Sequence, residues 1–105
     1  MDEKIIEISF SIIGSAGEAK FKAKEALELA REGKIDEARQ RVEDAEQALT
    51  VAHREQTELI TKQANDEKID MTVVLVHAQD HLMTTMSEIG LTKEFINVYE
   101  MLHNK

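Results

Sequence analysis

The sequence has no cysteine, no proline and no tryptophan, and only four glycines among 105 residues. The absence of cysteine excludes a disulfide and any thiol chemistry by this chain. The lack of proline and the scarcity of glycine favour long helices, because a β-rich fold needs turn residues at short intervals. Aromatic residues make up only 4%. The core is therefore predicted to be aliphatic and rich in alanine.

Long hydrophobic runs and positive charge are also missing. The longest apolar run is 73–76, far below the ~20 residues of a membrane span. The formal net charge of −8 argues against binding to nucleic acid phosphates. The first four residues, MDEK, are acidic and are not followed by a long apolar run, so they predict no signal peptide. We expect one cytoplasmic domain over residues 1–105.

Three segments repeat apolar residues at steps of three and four, which is typical of helices. They predict helices at about 3–32, 35–64 and 71–102, and the short connections predict an antiparallel up-down-up bundle. Gly33 is the expected C-terminal cap of the first helix. Asp70, after the polar stretch 62–70, is the expected N-cap of the third. Glycine can bend or end a helix, but we expect one helix, at most bent, through Gly90.

The apolar stripes predict which faces are packed. The first helix has two, Ile5, Ile8, Ile12, Ala16, Ala19, Ala23, Ala26, Ala30 and Ile6, Phe10, Ile13, Gly17. Together they are wider than one neighbouring helix requires, and Gly14 and Gly17 within this surface predict close packing or a slight bend. The second helix has the seam Ile35, Ala38, Val42, Ala45, Leu49, Ala52, Gln56, Leu59, and the third has the stripe Thr72, Leu75, Gln79, Leu82, Met86, Ile89, Ile96.

Two polar residues of the second helix have open roles. Gln56 is either a satisfied core amide or a residue near a site. His53 is expected at the surface or at its boundary.

Asp80 interrupts an otherwise apolar line of the third helix. The line runs through Val73, Val76, Asp80 and Met83, so we expect Asp80 on a buried or packed stripe. An ionised carboxylate is costly there unless it is compensated. The broad apolar surface suggests self-association, and a cyclic oligomer would bring copies of Asp80 together on its axis. A bound cation or protonation would relieve their repulsion.

His77 and His81 lie four residues apart and therefore share one helix face. Four interpretations remain open on the residues alone. The histidines are structural, or they bind a transition metal, or they perform acid-base catalysis, or one of them is a phosphorylated nucleophile. The metal interpretation lacks further ligands apart from His53 and acidic residues. Acid-base catalysis lacks a companion nucleophile. A phosphohistidine needs only positioned donors, for which His81 and Gln79 are candidates, and a partly apolar surround.

The segment 76–84, VHAQDHLMT, resembles the active-site segment of the lactose/cellobiose-type IIA components of the bacterial sugar phosphotransferase system. Gly14–Gly17 with Ala19, Leu49 with Ala52–His53, Gln56–Thr57 and the polar loop also fit that family's layout. The resemblance covers most of the chain and is weakest after Gly90.

The resemblance implies a specific role for each residue of the motif. His77 would accept a phosphoryl group through Nε2 from the phosphohistidine of HPr and pass it to a cysteine of the cognate IIB component. Gln79 and His81 would stabilise the phosphoryl group. The family forms homotrimers of three-helix subunits, and Asp80 would meet its copies around a divalent cation, which is expected to be Mg²⁺. The transported sugar would be a β-disaccharide of the cellobiose, chitobiose or lactose class. A non-enzymatic helical interaction module and a His-based metal-binding bundle are the competing functions.

Overall fold

Three long helices form the chain in a computed structural model that describes residues 3–105. They are α1 (Glu3–Arg31), α2 (Ile35–Ala64) and α3 (Val73–His103), and residues 3–105 contain no strand. The bundle extends over 56 × 21 × 18 Å. The all-α, up-down-up prediction is confirmed, although α1 ends one residue earlier than predicted and α3 is displaced by two residues at its start and one at its end.

The turn between α1 and α2 is built on Gly33, which confirms the predicted cap. Its φ of 84° lies in the left-handed region that favours glycine. Its N–H donates to the carbonyl of Ala30 (3.0 Å), and the N–H of Lys34 donates to that of Leu29 (2.9 Å). This Schellman pattern satisfies the last carbonyls of α1. A Cβ on Gly33 would lie 3.2 Å from the His103 ring, so the close approach of α3 also favours glycine.

The N-cap of α3 is Thr72, and the prediction of Asp70 is wrong. Thr72 has an extended backbone (φ −73°, ψ 159°), and its hydroxyl accepts from the N–H of Leu75 at 3.1 Å. Asp70 lies too early to reach the first turn, and its carbonyl instead accepts from the N–H of Thr72 at 3.0 Å. The hydroxyl therefore satisfies one of the free amides at the start of α3.

The core is rich in alanine, as the composition predicts. From α1 and α2 it takes the first stripe without Ile8, the seam without Ile35, and Ser9 in addition. The buried residues are Ile5, Ser9, Ile12, Ala16, Ala19, Ala23, Ala26, Ala30, Ala38, Val42, Ala45, Leu49, Ala52, Gln56 and Leu59. The burial of Gln56 agrees with its place on the seam. His53 is exposed, as expected. Small side chains at these positions let the helix axes approach closely.

The core face of α3 is rotated relative to the prediction. Its buried residues are Leu75, Ala78, Leu82, Thr85, Ile89, Thr92 and Ile96. Gln79 is only half-buried and Met86 is exposed, so both were wrongly placed in the core. Three small residues, Ala78, Thr85 and Thr92, take their place because they allow close helix contact. Periodicity alone could not separate the two lines, since both step by three and four.

Two ion pairs show the relative direction of α2 and α3. Arg39 of α2 contacts Glu100 of α3 (2.9 Å). Glu46, seven residues after Arg39, contacts Lys93, which lies seven residues before Glu100 (2.7 Å). The two helices are therefore antiparallel. The hydrogen bond from Arg39 holds the pKa of the Glu100 carboxyl below its ordinary value.

The structure tests two expectations about glycines. The expectation of one helix through Gly90 is confirmed, since α3 runs without a break from Val73 to His103. Gly14 and Gly17 are exposed, and a Cβ at either would have no atom within 4 Å among the described residues, apart from the helix's own nearby backbone and chain neighbours. The prediction that they allow close packing is therefore wrong within one chain.

Candidate functional site

His77 and His81 form a contacting pair on the surface of α3. Their Nε2 atoms lie 3.0 Å apart. The ring centroids are separated by 4.4 Å, and the ring planes meet at 89°. His77 is exposed and His81 is half-buried. The one-turn spacing of the sequence thus places the two Nε2 atoms within hydrogen-bond distance.

A hydrogen bond between two Nε2 atoms requires that one ring donates and the other accepts. When His81 donates, Nε2 of His77 carries a lone pair and its proton resides on Nδ1. That lone pair belongs to the exposed ring of the pair. His77 is therefore suited to act as a nucleophile, and His81 to supply a hydrogen bond at the same point.

The pair faces the α1 side of α3. His77, His81 and Glu88 follow at steps of four and seven and so share a face. The carboxylate of Glu88 lies 3.6 Å from Nζ of Lys20 on α1. Gln79 is turned by roughly 200° from His77 about the helix axis. The chain therefore brings together His77 and His81 but not Gln79.

Asp80 lies on an open apolar stripe of α3. It is exposed, as are Val73 (87%), Val76 (53%) and Met83 (50%). The stripe continues along α3 through Leu91, Val98 and Met101, which are also exposed. The stripe is therefore not buried within one chain, and the remaining expectation is that a partner packs against it.

Metal-binding groups are sparse within residues 3–105 of the chain. Residues 3–105 contain no cluster of three or more His, Cys, Asp or Glu side chains placed to hold a metal ion. The pair His77 and His81 supplies two nitrogen ligands, and Asp80 supplies one carboxylate on a neighbouring line. In addition, none of the helices over residues 3–105 is both long and apolar enough to span a membrane.

Residues 7–100 match the model of the family "PTS system, Lactose/Cellobiose specific IIA subunit". The chain belongs to this IIA family. It is 42% identical to the lichenan-specific phosphotransferase enzyme IIA component of Bacillus subtilis over 97% of this chain and 93% of that protein. It is 38% identical to the N,N'-diacetylchitobiose-specific EIIA component of Escherichia coli over 95% of this chain and 86% of that protein.

Solved IIA structures have the same fold. The crystal structure of the cellobiose-specific enzyme IIA from Bacillus anthracis matches with a TM-score of 0.93 and 41% identity, covering 100% of this chain and 96% of that one. A IIA(Chitobiose) chain, solved in solution in complex with HPr from Escherichia coli, matches with a TM-score of 0.81 and 36% identity, covering 94% and 96%. The family assignment predicted from the segment 76–84 is confirmed. The chain is a IIA component of the phosphotransferase system.

One surface feature was missed from the sequence. The sequence pattern predicts a packed stripe that includes Phe10 and Gly17 and predicts no face for Phe21, yet all three are exposed on α1. The signal was present as the excess width of the apolar surface on the first helix. It could not be interpreted without knowing which of its two stripes faces the core.

Proposed function

We propose that this IIA subunit carries a phosphoryl group on His77 between HPr and the cognate IIB component. The observation that carries the proposal is the exposed ring of His77, whose Nε2 lies 3.0 Å from Nε2 of His81. In the first step the lone pair of His77 attacks the phosphorus of phosphohistidine on HPr. The Nε2–P bond forms while the donor's N–P bond breaks, and the donor imidazole leaves with the electron pair.

In the second step a cysteine thiolate of IIB attacks the same phosphorus. The S–P bond forms, and His77 leaves with the electron pair of the Nε2–P bond. Phosphoryl transfer has a loose transition state, so the protein mainly orients the groups and stabilises the charge on the oxygens. His81 is placed to donate from Nε2 to a phosphoryl oxygen once His77 is occupied. The 3.0 Å contact between the two Nε2 atoms supports this donor role.

A homotrimer is supported by the arrangement of side chains around α3. The buried face lies roughly opposite Asp80, His77 lies about 60° to one side of Asp80, and Gln79 lies about 100° to the other. Three parallel copies with Asp80 toward the axis would cover the apolar stripe, giving nine helices. They would also face the His77 flank of one subunit with the Gln79 flank of the next. Gln79 would then stabilise the phosphoryl group across the subunit boundary.

Asp80 fits a divalent cation only in that trimer. One chain provides a single carboxylate at this point, whereas three copies would provide the oxygen ligands that Mg²⁺ prefers, with water completing its shell. The cation would neutralise carboxylates that otherwise repel. It would stabilise the assembly and take no part in phosphoryl transfer.

We further propose that the protein works in the cytoplasm in uptake of a β-disaccharide of the cellobiose, chitobiose or lactose class. The support is the specificity of related IIA components for lichenan, lactose and diacetylchitobiose. The sugar would be bound by another component of the system, because the role proposed for this chain is to carry the phosphoryl group on His77.

The test is incubation with phosphoenolpyruvate, enzyme I and HPr. We expect an acid-labile mass increase of about 80 Da, the mass of one phosphoryl group, which is lost in His77→Ala. His53→Ala is the matched control, since His53 is an exposed histidine of α2. Lack of any increase while HPr itself becomes phosphorylated would reject the relay and favour a helical interaction module or a metal-binding histidine pair.

A further inference from the structure

Two exposed glycines lie in the middle of α1. Gly14 and Gly17 are exposed, and an added Cβ at either would meet nothing within 4 Å in the described chain beyond its own helix neighbourhood. Glycine is the poorest helix former after proline, so alanine would favour α1 at both positions. Packing within the subunit thus gives no reason for either glycine. Close approach of another molecule to the helix backbone would give one.

Exposed phenylalanines flank the glycines. Phe10 is 61% and Phe21 is 64% exposed. Phe10, Gly14, Gly17 and Phe21 follow at steps of four, three and four, so they lie along one face, called here the α1 strip. The strip is a shallow saddle, low at the two glycines and raised at the two rings. An apolar saddle of this kind suits a protein partner, because aromatic anchors contribute strongly to binding at interfaces.

The α1 strip lies beside the histidine pair. α1 and α3 are parallel, and the Lys20–Glu88 pair sets their relative height. Eleven residues before Glu88 is His77, and eleven before Lys20 is Ser9, so His77 is level with the start of the strip. By the same count His81 is level with Ile13, the neighbour of Gly14. The first half of the strip is thus at the height of the reactive nitrogens.

His77 lies between two open surfaces. The open apolar stripe of α3 that contains Asp80 is called here the Asp80 stripe. Going around α3 from this stripe, one meets His77, then His81, and then helix α1 with the α1 strip. The Asp80 stripe is the surface assigned to self-association above. A donor must place its phosphorus about 3–3.5 Å from Nε2 of His77 for transfer. Such a partner must contact the surface next to His77. In a trimer that packs through the Asp80 stripe, the surface between His77 and α1 stays accessible to that partner.

We infer that the α1 strip is the docking surface on which HPr rests when it phosphorylates His77. The inference rests on the proposed function and adds the surface by which the donor is held. A related IIA protein has been solved in complex with HPr, which makes HPr the partner of suitable chemistry for an apolar saddle beside a phosphoryl-accepting histidine. The glycines allow the HPr backbone to approach α1, and the rings of Phe10 and Phe21 bracket it.

The test measures the rate of phosphorylation of this protein at varied phospho-HPr concentration. Gly14→Gln and Gly17→Gln place a long, helix-compatible side chain in the saddle. We expect each to raise KM for phospho-HPr by about tenfold or more while kcat changes by less than about threefold, because binding rather than chemistry is obstructed. Val51→Gln on the exposed outer face of α2 is the control and should leave both constants unchanged.

Phe10→Ser and Phe21→Ser are a second set that cannot disturb the core, since both rings are exposed. They should also raise KM, and Gly17→Ala should raise the melting temperature. A wild-type KM in all glutamine and serine variants would overturn the inference. Dissociation of the oligomers of these variants on sedimentation would also overturn the inference, because the α1 strip would then contact a second copy of the chain. Failure of the wild-type protein to accept phosphate would instead reject the proposed function.

Discussion

Nε2 of His81 lies 3.0 Å from Nε2 of His77, within the distance of a direct hydrogen bond. The contact holds one nitrogen as donor and the other as acceptor at the point where phosphorus would bind. Because one ring is exposed and the other is half-buried, the two histidines are not equivalent. The relationship predicts distinct effects when each is replaced.

Replacement of His81 should slow phosphoryl transfer without abolishing it. His81→Ala keeps the nucleophile but removes the donor, so we expect roughly a tenfold loss in rate, smaller than for a donor in a water-excluded site. The measurement is single-turnover phosphorylation of His77 with helicity followed by circular dichroism. A rate equal to that of wild type would show that His81 gives no help to the phosphoryl group.

Gln79 should act between subunits, because it lies on the opposite flank of α3 from His77. A trimer made only of His77→Ala chains, or only of Gln79→Ala chains, cannot form a complete site. Mixing the two, unfolding and refolding should restore a fast-reacting fraction, since an intact His77 then meets an intact Gln79 of its neighbour. If mixing gives only the average of the two separate variants, the action across the boundary is rejected.

Asp80→Leu should preserve or strengthen self-association. The substitution replaces a repelled carboxylate on an apolar stripe by an apolar group, which is commonly neutral or stabilising by about 1–4 kcal/mol. Sedimentation with and without a chelator of divalent cations should show chelator sensitivity for wild type and none for the variant. A monomeric variant would place Asp80 away from the axis.

Thr85→Val should stabilise the subunit. The hydroxyl of Thr85 is buried, and none of the described residues forms a hydrogen bond with it. Valine removes that unsatisfied group at nearly constant shape, so we expect a gain of about 1 kcal/mol in the free energy of unfolding. Thr92→Val is the matched control, because the hydroxyl of Thr92 donates to the carbonyl of Glu88 at 2.7 Å. Equal effects of the two substitutions would contradict this explanation.

Acid should weaken the ion pair between Arg39 of α2 and Glu100 of α3. The lowered pKa of Glu100 means that its bond to Arg39 stabilises the folded chain at neutral pH and is lost as the pH falls through that pKa. Both groups are at the surface, so the effect is small. Glu100→Gln should therefore reduce the difference in melting temperature between pH 7 and pH 3, and an unchanged difference would exclude a role for this pair.

The sequence by itself determined the three helices, the alanine-rich core and the histidine pair. Long periodic segments without proline leave little alternative to helices, and a spacing of four residues places His77 and His81 together on any helix. The cap at Gly33 could also be predicted from the sequence. A residue in the left-handed conformation lets the following N–H groups bond to the last carbonyls of the helix just before it, and this needs no distant part of the chain. The segment 76–84 was sufficient to place the chain in its family.

Only the tertiary structure decided which faces are packed. Two lines of α3 have the same periodicity, and the one with Ala78 and Thr85 is buried because small side chains let α3 approach its neighbours. The line with Gln79 and Met86 remains at the edge. The same choice on α1 leaves Phe10 and Gly17 exposed beside the histidine pair. Helical spacing shows which residues share a face, but which face is covered depends on how the neighbouring helices pack.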